Sequence, residues 1–450
     1  MSARSLAAPL LFVMLAHAAA ARFDAWKFDV LHLKNGRRVQ GLLVEETPQA
    51  IRFRYVIQRP GERTSAFPAT VFTRAEIERV EPLLPEDRQL LRHRLHAIDE
   101  RVKNDKEREK SLELRPVPWG NDGPARGLEY ASEQFTLRSN AGEDTVRRVA
   151  VRLEQIYAAY ARVLPPRTFE ARPTAILVVQ SMAEYRTLLK AQGRNFSNPA
   201  LYDTARNEIV CASDLKQLDD QLKEVRLSHE QLLARLRKDE AELNRLYKNK
   251  VPAKFLQPIK DTRQQIERTN QENEKRFRDA TRQFFQVLYH EAFHAYLANY
   301  VYPPAEGEVP RWLNEGLAQI FEKAVFEAGE ARVGHADPDR LKAVKSAVRK
   351  QELIRLPELL TSSGRDFLVA HATDREVSDR HYLASWALAF YLTFERRKLG
   401  TPEFDRYTRA CKGGANPLEA FQSLVNQPLP QFERAWHAYL LELRHDGTKE

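Results

Sequence analysis

Cysteine, long apolar runs and internal repeats are all scarce in this 450-residue sequence, and each scarcity excludes a class of protein. Only Cys211 and Cys411 occur, which excludes a disulfide-dense scaffold. These two thiols can pair in an oxidising compartment or remain single buried residues; we expect them to be unpaired and not to bind metal. Beyond the N-terminus, no stretch has the roughly 20 apolar residues of a membrane-spanning helix. No short repeat indicates a solenoid.

Blocks of charge of one sign are also missing. The chain has 71 Lys and Arg against 62 Asp and Glu, a net charge of +9, and the two signs alternate almost everywhere. Without a polybasic block that contains aromatic residues, nucleic acid is not an expected partner, whereas affinity for an acidic or anionic envelope surface remains compatible with the charge. The length and the 43% hydrophobic content fit a globular protein of two or three domains.

The N-terminus predicts a signal peptide over residues 1–21. Arg4 is followed by a short apolar run from Leu6 to Ala16 and by small residues that allow cleavage after Ala21 or one residue earlier. The run is too short to span a bilayer, so we expect no stable membrane anchor, although an anchor is the competing interpretation. No cysteine follows, which excludes a lipoprotein. The predicted location is therefore periplasmic or extracellular.

Residues 22–84 predict a small β-barrel. Alternating apolar residues flank an Asn35-Gly36 turn, and short strands follow at 51–57, 71–72 and 77–80. The string LKNGRRVQGLLVEE resembles SH3-like or Sm-like barrels, which implies a docking or packing module. Residues 85–126 predict a charge-dense helical connector and a linker rich in Pro and Gly.

The remainder, residues 127–443, predicts an α+β domain. A strand at 128–138, a helix at 143–164, a buried strand at 175–179, a short helix at 181–192 and a hairpin at 201–211 precede a helical C-terminal part over 340–443. Within this domain, leucines in alternating three- and four-residue steps predict an antiparallel coiled-coil hairpin over residues 214–282. The hairpin can serve as an arm for a protein partner or as a stiff spacer. His229 lies in its seam and is expected to be a packed polar residue.

The strongest chemical pattern is His290-Glu291-Ala292-Phe293-His294, an H-E-x-x-H. On a helix, residues i and i+4 share one face, so both imidazoles can bind one Zn²⁺ with Glu291 beside the open coordination position. Glu315 follows 21 residues after His294, which leaves room for a loop and a second helix that returns a carboxylate as third ligand. Glu306 and Glu308 are alternatives for that ligand. Gln319 and Glu322 are candidates to orient the imidazoles.

These residues carry a resemblance to a known family. H-E-x-x-H followed by W-L-N-E-G-x-A resembles the gluzincin metallopeptidases, the thermolysin and aminopeptidase N group, and matches at Trp312, Asn314, Glu315 and Gly316. The wider chain, from Gly127 to Leu443, resembles bacterial secreted proteins of unknown function with a peptidase-MA-like domain. The resemblance implies a zincin-like fold, with Glu315 as third ligand and residues near 201–203 or 209–212 along the cleft. The G-x-M-E-N exopeptidase signature is absent.

The same resemblance implies an oxyanion donor. The string from Tyr382 to Leu392 is similar to the aminopeptidase-type helix that opens with a transition-state tyrosine, although Ala384-Ser385 stands where that family has Lys-Gly. Tyr382 is therefore the predicted donor. His381 and His371 are alternatives, both interpreted as surface histidines.

Together these observations predict a secreted zinc metallopeptidase acting on peptide or protein substrates. His290, His294 and Glu315 would bind the metal and Glu291 would be the general base. The alternative is a non-catalytic envelope scaffold or binding protein that contains structural zinc and acts through the barrel and the hairpin. A glutamate at position 291 favours the enzyme, because a purely structural site needs no base.

Overall fold

The computed structural model describes residues 26–58, 64–119, 127–168, 172–194, 198–327, 330–367 and 372–444. The predicted signal peptide and His371 lie outside the described residues. The fold is mixed α and β, as predicted, and mostly helical. Within the described part of the chain, no helix combines the length and apolar character needed to cross a membrane.

The strands are β1 Asp29–Leu33, β2 Arg38–Glu46, β3 Ala50–Ile57, β4 Ser65–Ala66, β5 Thr70–Thr73, β6 Ile77–Glu81, β7 Arg115–Val117, β8 Gly127–Ala131, β9 Phe135–Ser139, β10 Thr174–Val179, β11 Ala200–Asp203, β12 Glu208–Ala212, β13 Val325–Glu327 and β14 Glu330–Arg332. The helices are α1 Pro85–Ser111, α2 Glu143–Val163, α3 Met182–Ala191, α4 Leu215–Leu246, α5 Ala253–Tyr296, α6 Arg311–Glu322, α7 Pro338–Lys350, α8 Leu356–Leu360, α9 Ala372–Phe390, α10 Pro402–Lys412, α11 Pro417–Val425 and α12 Leu429–Glu442.

The N-terminal strands form one open antiparallel sheet. Its order is β4-β3-β2-β1-β6, and β5 also pairs with β3. The predicted Asn35-Gly36 turn joins β1 to β2, with Gly36 in the left-handed region at φ +80°. Leu31, Ile51 and Phe53 are fully buried in the sheet's own core. The strands were predicted, but the sheet does not close into a barrel within the described residues, because β4 and β5 both pair with β3 while β6 pairs only with β1.

A second six-stranded sheet, in the order β11-β12-β10-β9-β8-β7, organises the next part of the chain. Its strands β9, β10 and β12 are parallel. Side chains alternate between its faces: Ile209 and Cys211 of β12 join the main core, whereas Val210 and Ala212 pack with α3. The single strand expected at 128–138 is instead two strands, β8 and β9, because the Ser132 Oγ caps a turn by accepting from Phe135 N at 3.1 Å.

The predicted helical hairpin consists of α4 and α5, which pack against each other. Its seam buries Leu222, Ile259 and Ile266. His229 is a polar member of this seam, as expected, since its Nδ1 lies 2.8 Å from Asn270 Oδ1 on the opposite helix. Helix α5 continues without a break into the H-E-x-x-H segment, so the arm and the candidate site share one helix.

The C-terminal part is helical from α7 to α12, as predicted for residues 340–443. The sequence predicted no strand after Glu322, but the β13–β14 hairpin lies between α6 and these helices. Glu327 of β13 is buried and accepts hydrogen bonds from Thr64 N and Thr64 Oγ1 at 2.6 and 2.7 Å. This hairpin therefore ties the N-terminal sheet to the rest of the molecule.

Candidate metal centre

The C-terminal end of α5 fixes the two histidines. Its apolar face is buried at Leu288, Ala292 and Phe293, and Tyr160 of α2 donates to the backbone oxygen of Tyr289 at 2.6 Å. The opposite face therefore points into a cleft, and the rings of His290 and His294 lie there with centroids 4.8 Å apart. The i,i+4 spacing thus places the two imidazoles next to each other.

Glu315 on α6 completes a cluster of three possible ligands. Nε2 of His290 lies 3.1 Å from Glu315 Oε2, and Nε2 of His294 lies 3.6 Å from Glu315 Oε1. One donor atom from each of the three residues lies within 4.8 Å of the other two, so the cluster could hold a metal ion. Glu306 and Glu308, the alternatives for the third position, are not in this cluster. The structure therefore selects Glu315.

Partners of the second imidazole nitrogens orient both rings. His290 Nδ1 donates to Glu322 Oε2 at 3.1 Å, since a carboxylate can only accept, and His294 Nδ1 faces Asn314 Oδ1 at 2.8 Å. Both contacts leave Nε2 facing Glu315, which is the arrangement of metal-ligating histidines. Of the two residues predicted to orient the imidazoles, Glu322 does so. Gln319 instead donates to the backbone oxygens of Glu315 and Tyr382.

Asn314 is a functional residue that sequence reasoning did not assign. It lies one residue before Glu315 in the W-L-N-E-G string, and that pattern does not indicate which group its side chain contacts. The spacing alone cannot show that its amide meets His294, because this contact depends on how α6 packs against α5.

Charge at the cluster is balanced in a way that suits a cation. Burial opposes protonation of His290, but hydrogen bonds to Glu315 and Glu322 outweigh it and raise the pKa of the imidazole to about 10. Burial lowers the pKa of His294, and the nearby Glu315 carboxylate acts in the other direction. Burial favours the neutral form of Glu315, but the two imidazoles and Arg311 lower its pKa to about 2. The carboxylates of Glu315 and Glu322 therefore stabilise a positive charge at this cluster.

The donor set fits zinc on two observations. Two imidazole nitrogens and one carboxylate are a ligand set of catalytic zinc, which keeps a fourth position open. Glu315 is 1% exposed, and its Oε1 forms an ion pair with Arg311 Nη2 at 2.6 Å. A buried carboxylate that positive neighbours hold in its ionised form also suits a metal cation as a partner.

Glu291 lies on the same helix face and reaches the edge of the central sheet. Tyr202 N of β11 donates to Glu291 Oε2 at 2.8 Å. Within the described residues, strand β11 pairs only with β12, so this N–H belongs to its outer edge. Ala200, Leu201 and Tyr202 line the cleft beside His290 and Glu291. The resemblance implied that residues near 201–203 or 209–212 lie along the cleft. The first segment lines the cleft, and residues 209–212 are not among its lining residues.

Tyr382 on α9 lines the opposite side of the cleft. Helices α6 and α9 approach closely because Gly316 has no side chain: a Cβ there would lie 2.3 Å from Ser385 O. Burial raises the pKa of Tyr382, Glu315 raises it further, and a hydrogen bond with Arg311 acts in the other direction. The structure therefore brings the Tyr382 phenol within electrostatic reach of Glu315 and Glu291.

The alternatives to Tyr382 are not supported. His381 is 6% exposed and packs against Phe367, so its interpretation as a surface histidine is wrong. His371 lies outside the described residues. Cys211 and Cys411 are both free, as expected, and neither belongs to the metal cluster.

The cleft itself has a volume of about 1620 Å³ and is open to solvent. Strand β11 and helices α5, α6, α7 and α9 form its walls. Helices α7 and α9 belong to the predicted C-terminal helical part, which therefore also borders the cleft. The space is large enough for an extended peptide segment.

Removal of the Glu322 carboxylate is expected to weaken metal binding. Glu322→Ala leaves His290 Nδ1 without its acceptor, and loss of such a partner typically lowers metal affinity by about 10- to 100-fold. Competition against a chromogenic chelator measures the affinity. Glu306→Ala, which removes an exposed carboxylate nearby in sequence, should leave it unchanged. Equal affinities of parent and Glu322→Ala would contradict an orienting role.

Comparison with known proteins gave one family match, and it overlaps the segment that carries this site. Residues 285–410 match a family described as "Protein of unknown function (DUF1570)", which is less than a third of the chain. Searches of the curated proteins and of the solved structures gave no match. The matched segment contains His290, Glu291, His294, Glu315 and Tyr382. The chain is thus similar to this uncharacterised family over the part that carries the candidate metal centre.

Proposed function

We propose that this protein is a secreted or periplasmic zinc-dependent metallopeptidase of gluzincin type. The observation that carries the proposal is the convergence of His290, His294 and Glu315 within 4.8 Å, with Glu291 on the same cleft wall. The resemblance of the W-L-N-E-G string supports the family, and the location rests on the N-terminal sequence. The zincin-like fold and the SH3-like or Sm-like relationship of the N-terminal sheet are part of this proposal.

Bound zinc would supply Lewis-acid polarisation of a substrate carbonyl and would lower the pKa of a coordinated water to about 7. Glu291 then takes a proton from the attacking water and returns it to the leaving amine. Its contact with Tyr202 N holds the carboxylate at the floor of the cleft. Tyr382 donates a hydrogen bond to the oxyanion that develops on the scissile carbonyl.

The edge of β11 would hold the substrate backbone. An extended peptide that adds to a free strand edge gains main-chain hydrogen bonds and depends little on side-chain identity. The G-x-M-E-N signature of aminopeptidases is absent, and the cleft is open, so the proposal favours an endopeptidase acting on protein or envelope material.

The test is metal content and peptide hydrolysis of the purified chain from Arg22 to Glu450. We expect elemental mass spectrometry to find one tightly held zinc, and a peptide library to show cleavage that a zinc chelator abolishes and added zinc restores. Zinc without hydrolysis would favour the alternative of a non-catalytic scaffold. Absence of zinc after reconstitution would overturn the metal-site proposal.

A further inference from the structure

The far end of the α4–α5 hairpin differs in charge from the two shafts of the same hairpin. We define the hairpin tip as residues 243–260, which contain Arg245, Lys248, Lys250, Lys254 and Lys260 and no Asp or Glu. The two shafts, residues 214–242 and 261–282, hold 13 acidic and 12 basic residues. The charged residues of the hairpin tip are therefore all basic, whereas acidic and basic residues are mixed along the shafts.

The hairpin tip also exposes apolar side chains. Leu246 is 69% exposed, and Tyr247 and Phe255 are each 38% exposed. Within the described residues, nine large hydrophobic side chains are exposed, and three of the nine lie together at this one turn. The rings of Tyr247 and Phe255 pair across the turn with centroids 5.6 Å apart, and Lys254 Nζ lies 5.0 Å from the Phe255 ring. The result is an aromatic cluster surrounded by lysines, so the expectation that the chain has no basic block with aromatic residues is wrong at this turn.

The backbone of the turn holds these groups in place. Lys248 and Asn249 both adopt left-handed conformations, at φ 47° and 63°, and Asn249 N donates to Asn244 O at 2.8 Å. The 32 residues of α4 put the hairpin tip about 48 Å from the hairpin base, given a rise of about 1.5 Å per residue. The apolar cluster thus lies at the end of a long arm, where packing on the body of the protein does not cover it.

We propose that the hairpin tip docks on the surface of an anionic phospholipid bilayer. Tyr and Phe insert their rings at the headgroup level, and lysines extend their apolar stems while their ammonium groups meet lipid phosphates. A convex tip fits a deformable planar surface, whereas single-stranded nucleic acid requires a positively charged groove. A protein partner would need a pocket complementary to this tip, and the continuous positive charge specifies no such shape. The proposal does not depend on catalysis at the metal centre.

This docking has a geometric consequence for the candidate metal centre. Helix α5 runs without interruption from the hairpin tip to His290, over 35 residues from Phe255, which is about 52 Å along its axis. The arm would therefore set an upper limit of about this length on the distance between the bilayer surface and the cleft. Reversible docking of this kind is compatible with the expectation of no stable membrane anchor.

Vesicle co-sedimentation of the chain from Arg22 to Glu450 tests the proposal. This chain lacks the apolar N-terminal segment, which could bind lipid by itself. We expect binding to vesicles of phosphatidylglycerol and phosphatidylcholine in equal parts, little binding to phosphatidylcholine alone, and a loss of binding as salt increases. Replacement of Lys248, Lys250 and Lys254 by Gln should weaken binding about hundredfold, at about fivefold for each charge near the surface. Replacement of Leu246, Tyr247 and Phe255 by Ser should also weaken it.

A matched control removes the same charge from a shaft. Lys275→Gln, Arg278→Gln and Arg282→Gln change exposed residues at least 15 positions from the hairpin tip and should leave vesicle binding unchanged. Circular dichroism checks that every variant keeps the helix content of the parent. Equal loss in the control, or no vesicle binding by the parent, would overturn the proposal. Binding of the parent to polyglutamate but not to vesicles would assign the hairpin tip to an acidic protein partner instead.

Discussion

Glu291→Gln is expected to keep the metal and lose hydrolysis. The amide has the shape of the carboxylate and can still accept from Tyr202 N, which donates to Glu291 at 2.8 Å. An amide cannot take a proton from water, so the general-base contribution, typically about 10²- to 10⁴-fold, disappears from kcat. None of the three clustered ligand residues changes, so zinc content measured by elemental mass spectrometry should equal that of the parent.

The control for this variant is Glu308→Gln, because Glu308 also lines the cleft but is outside the metal cluster. It should retain both zinc and hydrolysis. Hydrolysis by Glu291→Gln at the parental rate, on a peptide that the parent cleaves, would rule out the proposed mechanism. A variant that loses zinc as well would show that Glu291 has a structural role in the site.

Glu315→Ala should abolish tight metal binding. It removes one of three ligands and leaves His290 Nε2 without the acceptor that lies 3.1 Å away in the parent. Peptide hydrolysis should disappear together with the bound zinc, whereas Glu291→Gln should lose hydrolysis and keep zinc. Titration of the purified variant with zinc, followed by calorimetry, measures the loss directly. Zinc content at the parental level would exclude Glu315 as a ligand.

Two comparisons separate metal loss from misfolding in this variant. Glu308→Ala removes a cleft carboxylate that was an alternative third ligand and should not change zinc affinity. The thermal unfolding midpoint of metal-free Glu315→Ala should fall below that of the metal-free parent, but a single cooperative transition should remain. The reason is that the buried carboxylate pairs with His290 and Arg311, and its removal leaves both without this ion-pair partner.

Local sequence determined the elements that carry the site. The heptad steps and the i,i+4 histidines predict helices because side chains at these spacings share one face, and both patterns lie on the single helix α5. The short strands around Asn35-Gly36 follow equally from period-two alternation and turn chemistry. The choice of His290, Glu291, His294 and Glu315 needed only spacing, residue chemistry and the resemblance of the W-L-N-E-G string.

Tertiary packing decided what spacing leaves open. The open edge between β6 and β5, the division of 128–138 into two strands and the β13–β14 hairpin depend on pairing between distant segments, which local patterns do not specify. The same holds at the metal cluster: Glu322 meets His290 and Asn314 meets His294 only because α6 packs on α5. Gly316 lets α9 approach α6 and brings Tyr382 to the cleft. Sequence thus selected the chemical groups, and long-range packing selected their partners, because contacts between segments far apart in the chain depend on the whole fold.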